Sequence, residues 1–138
     1  MQWWKKLSQS DAQQETQGSL MPFRFTQENC PSDFKTWFRE MFFNECNWED
    51  ATSKGNRYEE ANITLSVQVF GEDLGQKTMT LTHDEGRAKN HNAPTTHLKF
   101  DEDTKKYLQE NDMTGKYIIF SKDDLTGNFC LDIKDVAP

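Results

Sequence analysis

The sequence predicts a small, mainly β, barrel-like α+β domain: about seven short strands and two short helices, interrupted by two long polar loops. Three observations carry this expectation. Apolar residues alternate with polar ones at Ile63, Leu65, Val67 and Val69, the period-two pattern of a half-buried strand. Phe34, Trp37, Phe38, Met41 and Phe42 instead recur three and four apart, which places one aromatic face on a helix. The stretches 8–19 and 83–96 contain no Val, Ile, Leu, Phe, Tyr or Trp at all and so have nothing to bury.

Taken in order, Trp3, Trp4, Lys5, Lys6 and Leu7 read as a short strand or arm that anchors aromatic side chains. A capped helix beginning at Ser10 would have no apolar face, so the polar stretch after Leu7 reads as a loop. Alternation resumes at Leu20, Met21, Phe23 and Phe25, with Arg24 between the last two, as a strand. Pro31 suits the first turn of the aromatic helix and Ser32 or Asp33 its cap; the stripe is read as core packing, and no cofactor is inferred from it. The charged segment 48–60, which contains Gly55, predicts a turn with one short strand beside it. The alternating strand at Ile63 then turns through 71–75 and returns with Met79 and Leu81 set among Thr78, Thr80 and Thr82, forming a hairpin. His97, Leu98, Lys99 and Phe100 form a strand, Asp101 caps a short helix through Leu108, and a turn at Gly115 leads into two final strands around Tyr117 to Phe120 and Phe129 to Ile133. No internal repeat is present, and the whole of 1–138 is read as one domain.

The 138 residues suffice to bury about two-thirds of the unfolded surface without disulfides or metal. Hydrophobic residues make up only 34%, but ten Phe, four Trp and three Tyr concentrate apolar area and argue against disorder. Cys30, Cys46 and Cys130 form an odd set without metal-ligand spacing, and no apolar segment resembles a signal peptide or a membrane span. A reduced, cytoplasmic setting follows, with the cysteines read as small core residues. A formal charge of −7 opposes indiscriminate nucleic-acid binding, yet 1–27 and 83–100 each sum to +1, leaving −9 on the remainder. A locally positive face is compatible with that distribution.

Motifs of catalysis fail on inspection. His97-x-Lys99 begins like the His-x-Lys-x4-Asp motif of phospholipase-D-type nucleases, but Thr104 stands where the aspartate is required and no second copy exists. Asp103-Thr104-Lys105 matches only a three-residue fragment of metal-dependent nucleases and reads as a solvated helix face. Gly-x-Ser-x-Gly elbows, glycine-rich phosphate loops and paired-histidine helices are missing from the sequence. No metal or other cofactor is expected.

The two polar loops carry the side chains that pair with base edges in a major groove: Arg and Lys for guanine, Asn and Gln for adenine, Asp and Glu for the cytosine amino group. The first offers Gln9, Ser10, Asp11, Gln13, Gln14, Glu15 and Gln17, and the second Asp84, Glu85, Arg87, Lys89, Asn90, His91 and Asn92. Lys5, Lys6, Arg24, Lys54 and Arg57 are the candidates for holding phosphates, which positions a reader without specifying sequence. A β-rich protein- or peptide-binding module without DNA affinity is the alternative class. A self-sufficient nuclease is a third, with little support.

Leu7-Ser8-Gln9-Ser10-Asp11, a polar loop, and then Met21-Pro22-Phe23-Arg24-Phe25 resemble the opening of the B3-like DNA-binding domains of restriction endonucleases. The chain is similar to the EcoRII effector domain and, more closely, to the C-terminal domains of the BfiI and NgoAVII type. The order of polar loop, strand, aromatic helix, long hairpin and second polar loop agrees over nearly the whole chain. The resemblance implies a seven-stranded open pseudobarrel that grips the major groove with an N-arm and a C-arm, here about 8–20 and 83–96. It implies a target-recognition domain of a bacterial, cytoplasmic type II restriction enzyme, monomeric in isolation, whose phospholipase-D-type nuclease domain lies elsewhere in the parent protein. Arg87 and Lys89 are the only basic residues of this C-arm up to residue 96, and Asp84, Glu85 and Glu15 are candidates for cytosine, which suggests a site with G·C pairs.

Overall fold

The computed structural model describes residues 1–14, 22–85 and 94–138. In chain order these form β1 (Gln2–Lys6), β2 (Phe23–Arg24), α1 (Phe34–Trp37) running into a π-helical turn (Phe38–Phe42), β3 (Glu49–Ser53), β4 (Asn56–Val69), β5 (Glu72–Asp84), β6 (Thr95–Lys99), α2 (Glu102–Glu110), β7 (Tyr117–Lys122) and β8 (Phe129–Lys134). With 46% of the described residues in strands against 15% in helices, the fold is mainly β.

One sheet runs β1-β7-β8-β4-β5-β6-β2, with β3 attached to β4 off this path. Its neighbours are antiparallel except β4 and β8, which run parallel. The sheet curls so that its two ends, β1 and β2, face each other across an aromatic seam. Trp3 of β1 meets Phe23 and Phe25 at ring separations of 6.1 and 5.2 Å, and its indole N–H donates to the Glu28 carbonyl at 2.6 Å. The result is an open, curled half-barrel closed by side chains. Its interior is filled by Trp3, Phe23, Phe25, Phe38, Phe42, Phe43 and Phe120 with Leu, Ile and Val from the strands, all buried. So few residues suffice because each aromatic ring removes about 150–250 Å² from water.

Several sequence expectations shift here for identifiable reasons. Eight strands are found among the described residues where about seven were expected; the short strand expected in 48–60 is β3, and the same segment also supplies the first third of β4, which starts earlier than its apolar alternation. A tight turn at Lys54 and Gly55, both with positive φ (51° and 79°), reverses the chain between them. The aromatic helix is short: Asp33 caps it through the Lys35 N–H, and the Phe43 N–H then bonds back five residues to the Phe38 carbonyl. That wider turn rotates Phe42 and Phe43 into the core and leaves Met41, expected on the buried face, 53% exposed. The hairpin reverses at Phe70 and Gly71 (φ 50° and 81°) instead of through 71–75, and a register shift between Val67 and Gln68 leaves Leu74 as the extra residue of β5, with Gly75 still opposite Val67. Of the cysteines expected in the core, Cys30 and Cys46 are half-buried and pack against its margin, whereas Cys130 is exposed because Leu131 and Ile133 occupy the inward positions of β8. Among the described residues no helix is long and apolar enough to cross a membrane.

Candidate functional site

Register places the polar face of the sheet. Ala61, Leu81, Leu98 and Phe23 lie directly opposite one another across β4, β5, β6 and β2, and all four are buried. Side chains alternate along a strand, so the adjacent row of Glu60, Thr82, His97 and Arg24 faces away from the core. One step further toward the end of the sheet, Tyr58 and Asp84 share that outward face. Beside them the β3–β4 turn raises Ser53, Lys54 and Asn56 as a wall, and Pro22 stands on the far side. These residues enclose a cleft of about 460 Å³.

The place of this cleft in the chain matters as much as its lining. Pro22 is the foot at which the first arm enters β2, and Asp84 is the foot from which the second arm leaves β5. Its walls offer an amide, a carboxylate, hydroxyls, an imidazole and an ammonium, with the Tyr58 ring among them: donors and acceptors of several kinds instead of one charge sign. Of the expected phosphate ligands, the structure brings Lys54 to the cleft and sets exposed Arg24 directly opposite its His97. Arg57 alternates to the other face from Asn56 and Tyr58. Lys6 is exposed opposite Tyr117, beside the start of the first arm.

Lys5 is placed elsewhere than its expected role at the surface. It lies on the inward face of β1, 8% exposed, where its ammonium meets Asp11 Oδ2 at 3.1 Å, the Arg24 carbonyl at 3.1 Å and the Phe23 ring face at 5.0 Å. Asp11 also accepts from the Ser8 N–H, while the Ser8 hydroxyl accepts from the Asp11 N–H, a reciprocal cap on a single tight turn. Ala12 and Gln13 bury beneath that turn, and Gln14 donates to the Leu108 carbonyl of α2 at 2.5 Å. Asp11, Gln13 and Gln14, expected to read bases, are therefore occupied in fixing the root of the first arm; Gln9 is exposed and Ser10 half-buried on its outer side. Glu15 and Gln17 lie outside the described residues.

The second polar stretch is shorter than expected, because β5 continues through His83 and Asp84 and β6 begins at Thr95. His83 and Thr96 pair across the ladder, both buried, with Nδ1 2.9 Å from the threonine hydroxyl. Polar residues thus extend a ladder without any apolar signal, by satisfying each other. Exposed Glu85 reaches back to His83 Nε2 at 3.3 Å. Below the ring lies a bidentate pair of Arg39 and Glu59, with the guanidinium stacked 4.6 Å over Trp48 and the Trp48 ring edge-on to His83. Burial pushes the His83 imidazole below its ordinary value, against the raising influence of the Glu85 and Glu59 carboxylates, whereas the Arg39 hydrogen bonds hold the Glu59 carboxyl below its own. Arg87, Lys89, Asn90, His91 and Asn92 lie outside the described residues.

Sequence reading missed Ser53, Asn56, Tyr58 and Thr82 as cleft residues and met His97 only as a fragment of a nuclease motif. The available signal was the turn residue Gly55 within a polar segment, which pairs 49–53 with 56–60 and so brings Asn56 and Tyr58 beside Asp84. No protein-family model matches the chain, and no curated protein and no solved structure shows significant similarity to it.

Proposed function

We propose that this chain is a B3-like, sequence-specific double-stranded DNA-binding domain that serves target recognition in a type II restriction endonuclease. The observation that carries the reading is the mixed donor and acceptor cleft set between the feet of two polar arms. A duplex major groove presents a code of donors and acceptors, and reading it takes amide, carboxylate and cationic side chains in one place. Asn56, Asp84, Lys54 and Arg24 supply those classes at the cleft or beside it, and the arms add the same chemistry on both sides. The half-barrel supports the finer fold assignment, since leaving out the accessory strand β3 gives a sheet of seven strands in one path. In this reading cleavage belongs to a nuclease domain of the parent enzyme, the setting is the bacterial cytoplasm, and the isolated domain is a monomer.

The test is selection of bound sequences from a random duplex pool, followed by affinity measurements on the enriched and a scrambled duplex across salt concentration. Enrichment of one short sequence, bound about 10³-fold or more above scrambled DNA, is the expected result. Failure to bind any duplex at low salt overturns the reading. A protein- or peptide-binding module is then favoured, and one feature suits it: β3 pairs with β4 alone among the described residues, leaving an edge along Glu49–Ser53 for strand addition.

A further inference from the structure

We infer that His83 is a positioning residue for the second arm: by clamping Thr96 on one side and Glu85 on the other, it sets the arm's exit from the sheet and thereby the discrimination between duplex sequences. The inference rests on the DNA-reading proposal for its functional consequence, though not for its structural one. His83 belongs to β5, Thr96 to β6, and Glu85 is the first described residue beyond β5, so a single ring ties together both strands that carry the arm and the start of the arm itself.

The proton positions follow from the partners. A carboxylate has no proton to give, so Nε2–H must donate to Glu85, which leaves Nδ1 as the acceptor of the Thr96 hydroxyl. Protonation makes both ring nitrogens donors, and Thr96 must then turn from donor to acceptor inside a closed ladder. The charged groups facing the ring are Glu59 from β4, Arg39 from the π-helical turn and Glu85 from the arm; β6 contributes the uncharged Thr96. Their balance with burial favours the neutral ring. A root that opens returns the ring to water and its ordinary value of 6.5, so acidification draws the population toward the open root.

Three substitutions test this. His83→Gln keeps an amide donor near Nε2 but cannot titrate; His83→Phe keeps a buried ring beside Trp48 but loses both hydrogen bonds; Glu85→Ala removes the clamp from its exposed end, where folding is not at stake. The ratio of affinities for enriched and scrambled duplexes is measured from about pH 7.5 to about pH 5.5 on each protein whose fold is verified by thermal unfolding. The wild-type ratio is expected to fall on acidification, the Gln variant to hold its ratio across the range, and the Phe variant to sit about tenfold lower throughout. A Phe variant with the wild-type ratio and the wild-type pH profile overturns the inference.

The Glu85→Ala variant is read without DNA, by NMR titration of the histidine ring and amide hydrogen exchange at residues 83–85. Loss of the carboxylate is expected to lower the His83 titration midpoint further and to speed exchange. Unchanged titration and exchange overturn the inference whether or not any duplex binds, which separates its failure from failure of the DNA-reading proposal.

Discussion

Lys5 and Asp11 hold the root of the first arm with an ion pair, whereas the second root hangs on His83, a ring whose burial holds its imidazole below the ordinary value. Both devices are buried and both tie an arm to the sheet. The first joins β1, the carbonyl of Arg24 in β2 and the turn at 8–14, and so also bridges the seam where, among the described residues, no strand ladder joins β1 to β2. The second joins β5 to β6, which are already paired, and reaches outward only through Glu85. One root is therefore part of the barrel's closure, and the other is an addition to a ladder that exists without it. Damage to the first should be felt as loss of fold, and damage to the second as loss of arm geometry.

The largest expected effect comes from breaking the first root. Asp11→Ala leaves the Lys5 ammonium without its countercharge at a site where its side chain is 11% exposed, and removing one partner of a buried pair costs about 3–5 kcal/mol. Urea unfolding measures it. Replacing both members with apolar residues, Lys5→Met with Asp11→Leu, should recover most of the loss, because desolvation of two charges is then avoided. A cost for Asp11→Ala no larger than the roughly 0.5 kcal/mol of an ordinary surface change would show that the barrel closes without the pair.

The second root should answer more weakly and with pH. Leaving the Thr96 hydroxyl without its histidine partner in His83→Phe is expected to cost about 1–3 kcal/mol. The sign of the pH effect follows from linkage: the folded chain holds His83 below 6.5, so the unfolded chain takes up its proton first as pH falls. The ring's contribution is full above 6.5 and is lost as pH drops from there through the depressed folded value. Urea unfolding of the His83→Gln variant across the same range should lack that slope; an identical slope would assign it to other groups.

Sequence reading reached the two roots unequally, and the reason is physical. The aromatic helix and the strand at Ile63 were legible because a buried face imposes its period on the residues. Asp101 was legible as a helix cap because capping is local, and its side chain accepts from the Thr104 N–H as expected. Lys5 and Asp11 are polar residues whose burial depends on a seam formed by distant strands, so their surface role was the natural inference. His83 and Thr96 likewise continue a ladder by pairing with each other, a signal that no window on one strand contains. The first third of β4 was hidden because both of its faces are polar: Asn56 and Tyr58 line the cleft, and Glu59 pairs with Arg39.

Beneath the second root, Glu59→Gln should have a smaller effect still. The Arg39–Glu59 pair is bidentate, but its side chains are 25% and 27% exposed, so solvent screening limits the expected loss to about 1 kcal/mol or less. High salt should shrink it further. The Glu59 carboxyl is held below 4.5 chiefly by the Arg39 hydrogen bond, so this contribution is present above 4.5 and lost as pH falls through the depressed value. Stability of wild type and Glu59→Gln measured on the acid side should therefore converge. Convergence above pH 4.5 would instead point to His83 as the common cause.

The smallest effect on folding is expected where neither root is touched, at Lys54 on the rim of the cleft. Its φ of 51° is a conformation glycine adopts freely, and its side chain is exposed at the hairpin tip. Lys54→Gly should thus leave stability within about 0.5 kcal/mol of wild type. If the cleft meets a duplex, the lost ammonium should weaken enriched and scrambled sequences alike and reduce the salt slope of binding by about 1. Loss confined to the enriched sequence would move Lys54 from holding phosphates to reading a base. An unchanged slope would set the tip apart from the duplex and leave recognition to the arms, whose roots would then account for both the stability and the selectivity of the domain.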